Sequence, residues 1–412
     1  MSATENPLLP VPEAIRVVER ETPRLPAERV SLKEARGRIL AEDVIADTDL
    51  PPFDRALMDG YAVRAEDTGG ARATLRIVGE AAAGRGWRGE LKAGEAVRIM
   101  TGAPLPAGAD SVQQVEVTRE TQDGAMVEID RATAPGQFVT RRATEIRKGE
   151  TVLRAGERVS PAMLAALASF GYARPKVGAL PRVAVIATGS ELVRVEDAPG
   201  DAQLRDSNTY SLLGYAEAAG ARVEPLPFAV DDEGLLRRLI AEAAERSDAL
   251  VLSGGVSMGV YDFTKSALRA LGAEILFDRV SLRPGKPTVF ARLANARRTL
   301  VFGLPGNPVS VSVTFNLFAR PALLAMQGCH QTRLAEHRAV LAREARGSSE
   351  RASYLPATLR SDESGRILAE PLKWGGSSDF VAFARAGALI LIPEGTRAVA
   401  AGDVVSVLRL PE

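Results

Sequence analysis

Apolar positions between residues 11 and 20 recur every three to four residues, and the same rhythm returns over 31–40. Each stretch predicts an amphipathic helix, with Gly37 near the end of the second. From about Asp47 the texture changes to short apolar runs set apart by Gly and Pro, as in LRIVGEAAA, AVRIMTG, SVQQVEV and AMVEID. That texture predicts a β-rich module reaching about Ile146. The text KGETVLRAGERVSPAMLAALASFGYARPKV then supplies a turn, a helix starting near Ser160 and Pro161, and a stop at Gly171.

From Pro181 strand and helix patterns alternate: RVAVIAT, a helix over 207–219, RVEPLPFAV, a helix over 232–244, then DALVLSGG. The rhythm continues with a helix over 263–271, strands near 287–291 and 299–302, and a helix over 308–326. This spacing predicts a parallel α/β sheet. After a polar stretch around 329–337, short β-like runs ending in VVSVLRL predict a small all-β domain. The expected division is therefore N-terminal helices and a helical/β linker domain at 1–46 and 147–180, a β-rich inserted module at 47–146, a central α/β domain at 181–328 and a C-terminal β domain at 329–412. The fold class is multidomain α/β plus β, without internal repeat or low-complexity segment.

Composition narrows the chemistry more than the fold. The 412 residues exceed what one hydrophobic core usually covers, and 46% hydrophobic with 25% charged residues is the composition of a globular protein. Lys plus Arg equals Asp plus Glu at 52 each, so no global field draws the chain to nucleic acid or an anionic membrane. Any anion site must be local. Cys329 is the sole cysteine, which removes internal disulfides, zinc ribbons and iron–sulfur clusters and points to the cytoplasm. The two histidines, His330 and His337, fall in the polar stretch and read as part of a solvated helix end or linker. Zinc hydrolysis, a Ser-His-Asp triad and a Cys-His pair are thereby excluded. Carboxylates, Lys, Arg, hydroxyls and a hard cation such as magnesium remain. The N-terminal text has no basic segment followed by an uninterrupted apolar one, and no run approaches the ~20 apolar residues of a membrane helix, so neither export nor insertion is expected.

Four strand exits in the α/β text carry polar residues. In LVLSGGVSMGVYDFTK an apolar strand runs straight into Ser253, Gly254, Gly255, Ser257 and Gly259. Ligands of open α/β sheets bind at such carboxyl edges, where glycines let backbone N–H groups approach an anion. RVAVIAT runs into Gly189, Ser190 and Glu191, the next strand ends at Asp231, and LVFGLPGNPVS places Gly306, Asn307 and Ser310 at a helix start. Each alone reads as a turn or a helix cap; together they point to one crevice. Glu191, Asp231 and Asp262 are a carboxylate set suited to a hard divalent cation. Arg283 and Lys286 flank a Pro-Gly turn and suit a tetrahedral dianion. In the β-rich module Asp59 and Thr101 each precede a glycine, and in isolation are turn residues.

In order along nearly the whole chain, PPFD…MDGYAV, IMTGAPLPAGAD, ATGSEL, DSN, SGGVSMG..DFTK, PGKP and GLPGNPVS resemble the molybdopterin molybdenumtransferase family, which includes the C-terminal domain of gephyrin. The resemblance implies that adenylylated molybdopterin and molybdate react, with magnesium assistance, to give molybdenum cofactor and AMP. It implies a four-domain homodimer whose site lies in a cleft between subunits, with the central domain similar to molybdopterin adenylyltransferase and binding molybdopterin. Asp59, Thr101, Asp262 and Lys286 then become catalytic. Gly254, Gly255, Ser257, Arg283, Pro305, Asn307, Ser310 and Arg142 bind substrate, with molybdate among Ser257, Arg283, Lys286 and Ser310. Glu191, Asp231 and Asp262 hold magnesium. Molybdopterin adenylyltransferase and molybdoenzyme-maturation proteins are the implied partners. The chain departs from the family text at Ala56, at Ala143 and Thr144, at Arg205 and at Arg283. Two alternatives stand beside this reading, a molybdopterin adenylyltransferase and a non-catalytic molybdopterin-binding or scaffold paralogue.

Overall fold

In a computed structural model of the chain, residues 8–70, 72–229, 232–256 and 263–411 are described. The chain divides into two compact units, one made of Met1–Glu42, Ala155–Ser160 and Arg174–Glu412, the other of Asp43–Arg154 and Pro161–Ala173.

The larger unit is built on a six-stranded sheet in the order Arg222–Pro225, Arg182–Ala187, Ala249–Ser253, Leu300–Leu304, Val289–Arg292, Glu274–Phe277. Four strands are parallel, but Val289–Arg292 runs antiparallel to both neighbours, so the sheet is mixed and not wholly parallel as expected. The cause is a link of seven residues between Arg292 and Leu300, closed by Leu293 N–H donating to the Thr299 carbonyl, which is too short for a parallel crossover. Val183, Val185, Phe302 and Leu304 face a core shared with Val11–Glu21, Asn208–Ala218 and the long helix Pro308–Met326. Ala184, Ile186, Leu250 and Leu252 face the other way, onto Glu233–Ala244 and Phe263–Ala270. Burial on both faces is why these strands read as near-continuous apolar runs.

Two sequence expectations change. The second helix is only Leu32–Ala35, capped by a reciprocal Ser31–Glu34 box, because Gly37 turns the chain at φ 78° and Ile39 and Leu40 enter β-bridges. Pro308–Met326 is long and apolar enough to cross a bilayer, contrary to the expectation that no such run exists, but 89% of it is buried in the core. Its central Phe315–Ala319 turns are π-helical, just ahead of Pro321, which has no N–H to donate.

The C-terminal strands Ala352–Ser361, Ile367–Pro371, Glu336–Leu341, Val404–Arg409 and Ala388–Ile392 pair in that order, and the last pairs back with the first, closing a five-stranded barrel. His337 lies in the third of these strands and not in a linker. Leu282–Arg283 adds to the barrel beside Ala352–Ser353, which ties the Pro-Gly turn to the terminal domain. Tyr354, Phe383 and Leu389 join the α/β core directly.

The smaller unit has its own six-stranded sheet, Ser111–Gln114, Gly60–Val63, Glu95–Ile99, Ala73–Ala81, Met126–Ile129, Thr118–Thr121, and carries Pro161–Ser169. Alternate residues fill two separate cores, Ala62, Val97 and Val112 on one face, Tyr61, Val63 and Val127 on the other.

Candidate active site

At the carboxyl ends of three parallel strands a cavity of about 910 Å³ opens, bounded by Thr188–Gly189, Gly254–Gly255 and Pro305–Gly306–Asn307. Gly254 is required by space and by backbone: its φ is 92°, and a Cβ there would stand 2.4 Å from the Thr188 carbonyl oxygen. Its N–H is spent on the Leu304 carbonyl at 3.1 Å, while Gly255 donates to no described residue. Asn208, the first residue of its helix, joins two of the exits. Its Nδ2 donates to Ser253 Oγ at 2.9 Å and to the Gly306 carbonyl at 2.7 Å, and its buried Oδ1 has no partner among the described residues. Glu191 lines the same cavity, folded so close over Gly189 that a Cβ there would lie 2.6 Å from either carboxylate oxygen. Arg205 stands in the wall, its Nε donating to the Asp197 carbonyl. Leu192, Pro199, Leu204 and Phe380 complete the lining with apolar surface.

A smaller cavity of about 280 Å³ shares Pro287, Pro305 and Asn307 with the first. It is lined by Arg283, Lys286 and Arg351, with Ser310, Trp374 and Ser377. Gly285 permits the tight turn between the first two cations, since a Cβ would meet Thr314 Cγ2 at 2.5 Å. Arg283 and Arg351 are steadied by carbonyls, of Gly347 at 3.0 Å and Leu282 at 3.4 Å, and Lys286 lines the cavity beside them. Asn307 precedes the long helix but does not cap it. Its amide reaches Ser377 Oγ at 2.9 Å, and the Ser377 carbonyl takes the Val309 N–H at 3.0 Å. The barrel loop thus supplies the cap. Asp379 fixes that loop by accepting the N–H groups of Gly375 and Ala382, and these bonds hold its carboxyl below the usual range.

In the smaller unit Asp59 Oδ1 accepts the Thr101 N–H at 2.6 Å and the Thr101 hydroxyl at 2.8 Å, and both donors lower its pKa. Phe53, Leu57, Met58 and Met100 are exposed near this pair in sequence, and so is Val115, whose N–H donates to the Asp59 carbonyl. Arg142 is engaged by Asp49 through its Nε and by Asp54 through its backbone N–H. Of the departures, Ala56 is buried in a short strand, Ala143 adopts φ 61°, and the Thr144 hydroxyl bonds the Arg141 carbonyl.

The structure therefore gathers Glu191, Gly254, Gly255, Pro305 and Asn307 in one cavity and Arg283, Lys286 and Ser310 in its neighbour. Asp59, Thr101 and Arg142 belong to the other unit. Asp231, Ser257 and Asp262 lie outside the described residues. Sequence reasoning missed Thr188, Arg351, Trp374, Ser377 and Phe380. The last three sit in KWGGSSDF, whose Gly-Gly-Ser-Ser-Asp turn interrupting β text was a usable signal. Arg351 carried none.

Three family models match the chain in order: the MoeA N-terminal region (domain I and II) over 9–171, a probable molybdopterin binding domain over 184–325, and the MoeA C-terminal region (domain IV) over 338–410. The molybdopterin molybdenumtransferase of Staphylococcus aureus (strain N315) is 34% identical over 407 residues, covering 98% of this chain and 96% of its own length. That of Bacillus subtilis (strain 168) is 35% identical over 412 residues, covering 98% and 94%. Among solved structures, a molybdopterin biosynthesis moeA protein from Pyrococcus horikoshii OT3 superposes with a TM-score of 0.83 at 29% identity, covering 98% of this chain and all of that one. The order of these domains, their near-complete coverage and the level of identity agree, and the chain belongs to the molybdopterin molybdenumtransferase family.

Proposed function

We propose that the chain inserts molybdate into adenylylated molybdopterin and releases AMP. Family membership makes it a transferase of molybdenum cofactor biosynthesis; the substrate form and the released nucleotide are our reading. The observation that carries it is the pair of adjoining cavities. The larger joins hydrogen-bonding strand exits, with Glu191 and Arg205 beside them, to apolar surface from Leu192, Pro199, Leu204 and Phe380, a mixture that a phosphate-linked heteroaromatic compound needs. The smaller gathers three cationic side chains and hydroxyls in a space suited to a tetrahedral dianion.

In this reading Gly254, Gly255, Pro305 and Asn307 seat the phosphate end, and Arg283, Lys286 and Ser310 seat molybdate, with Ser257 assigned there too. Lys286 brings a mobile charge to the junction, and the guanidinium of Arg283 forks toward two oxygens. Magnesium would be held by Glu191 with Asp231 and Asp262. Among the described residues the donors at that end are carboxylate and hydroxyl oxygens of Glu191, Thr188 and Ser207, a set that fits a hard cation in kind. When bound, the ion would neutralise phosphate charge and polarise the bond to AMP. Asp59 and Thr101 act on the substrate, Arg142 binds it, and the protein works as a cytoplasmic homodimer. The exposed apolar residues around Asp59 support a partner surface. The four-part domain division, the adenylyltransferase partner and the maturation partners belong to the same proposal.

Incubation with adenylylated molybdopterin, molybdate and magnesium tests it. AMP release accompanied by molybdenum transfer is the expected result. Tight binding without turnover would instead identify a scaffold paralogue, and ATP-dependent adenylylation of molybdopterin would identify an adenylyltransferase.

A further inference from the structure

Phe380 is an oddity of the larger cavity. It is 52% exposed although it opens a helical turn, Phe380–Phe383, whose last residue is buried in the main core. Asp379 holds the start of that turn through the Gly375 and Ala382 N–H groups, so the ring is carried on a braced segment of the terminal barrel and not on a loose loop. It lines the cavity together with Leu192, Pro199 and Leu204, the last 65% exposed. The polar groups of the cavity come from the strand ends, from Gln203, Arg205, Asp206 and Asn208, and from Ser378 beside Phe380. The space therefore offers hydrogen bonds and, from Phe380, Leu192, Pro199 and Leu204, apolar surface as well. A bare phosphate uses only the first.

We infer that Phe380 is a specificity residue that stacks on a bicyclic heteroaromatic ring of the substrate whose phosphates lie at the Gly254–Gly255 exit. This rests on the activity proposed above, where the substrate carries two such rings, adenine and pterin. A bound ring covers surface that Phe380 otherwise leaves to water, and ring stacking on an aromatic side chain changes binding by roughly 5- to 150-fold. The stack acts equally on bound substrate and on the transition state, so it appears in KM and not in kcat.

The test compares wild type with F380A and F380W, the second restoring a ring. Equilibrium binding of adenylylated molybdopterin should weaken at least about 5-fold in F380A and recover in F380W, with KM following the same order and kcat unchanged. Titration with AMP alone and with molybdopterin alone then assigns the ring: whichever ligand loses affinity in F380A is the one stacked. Equal affinity of wild type and F380A for all three ligands overturns the inference, as does a change in sedimentation of F380A without a change in binding, which would make Phe380 a contact between chains. Because binding is read directly, a wild-type protein that binds but releases no AMP would defeat the proposed activity and leave the stacking inference to be decided by the same titrations.

Discussion

The cavity at the strand ends and the smaller one beside it share Pro287, Pro305 and Asn307, yet they are lined by different chemistry. The first is shaped by backbone. Gly254 sits where no side chain fits, and Asn208 pins the Ser253 and Gly306 exits to each other. The second is shaped by charge, with Arg283, Lys286 and Arg351 around a turn that Gly285 keeps tight. A backbone-built site fails abruptly when its geometry is disturbed, because every donor moves with the chain. A charge-built site fails by degrees, since each cation can be removed without moving the others.

The sharpest way to break this contrast is Gly254→Ala. A Cβ 2.4 Å from a carbonyl oxygen at φ 92° forces the exit to shift, at a cost of about 1–3 kcal/mol in backbone strain alone. Affinity for adenylylated molybdopterin should fall by about 100-fold or more, as several hydrogen bonds to the phosphates are lost at once. Calorimetric titration checks this, and a near-normal affinity would show that the exit is a plain turn.

Lys286→Ala should have a graded effect. One charge-assisted bond to an oxyanion is worth roughly 1.5–3 kcal/mol, so half-saturation by molybdate should rise about ten- to hundred-fold while affinity for the adenylylated substrate changes little. Arg283→Lys keeps the charge and should change the molybdate titration less than Lys286→Ala does. If Lys286→Ala spared molybdate and abolished substrate binding, the assignment of the two cavities would be reversed.

The smallest expected effect lies in the other unit. Two donors from Thr101 hold the Asp59 carboxyl below its ordinary value. The stabilisation is therefore complete above the ordinary carboxylate range and is lost as pH falls through the depressed value. Thr101→Val removes the hydroxyl and leaves the N–H, so the pKa should rise part of the way back, as NMR titration of Asp59 would show. An unmoved titration would mean that the N–H alone sets it.

Much of the fold was legible. Helix starts followed from local chemistry, as at Asp232, whose carboxylate accepts the Leu235 N–H, and at Pro308. The strands Arg182–Ala187 and Ala249–Ser253 announced burial on both faces through unbroken apolar runs. Reversal of Val289–Arg292 was less plain, since it depends on how far a link of seven residues can reach.

The sequence by itself determined which chemistry was open to this chain: no thiol or imidazole cluster, a glycine pair at a strand exit, two cations around a Pro-Gly turn, and the ordered motifs of one family. Those are local facts, set by residue type and spacing. Only the tertiary structure decided that Arg283 and Lys286 share a cavity with Arg351, Trp374 and Ser377, and that Phe380 lines the cavity at the strand ends. Those residues come from a barrel that is distant in sequence from the turn and folds onto the α/β core through Tyr354, Phe383 and Leu389. Packing of apolar surface brought them together, and such packing leaves no mark in the spacing of the polar residues it delivers.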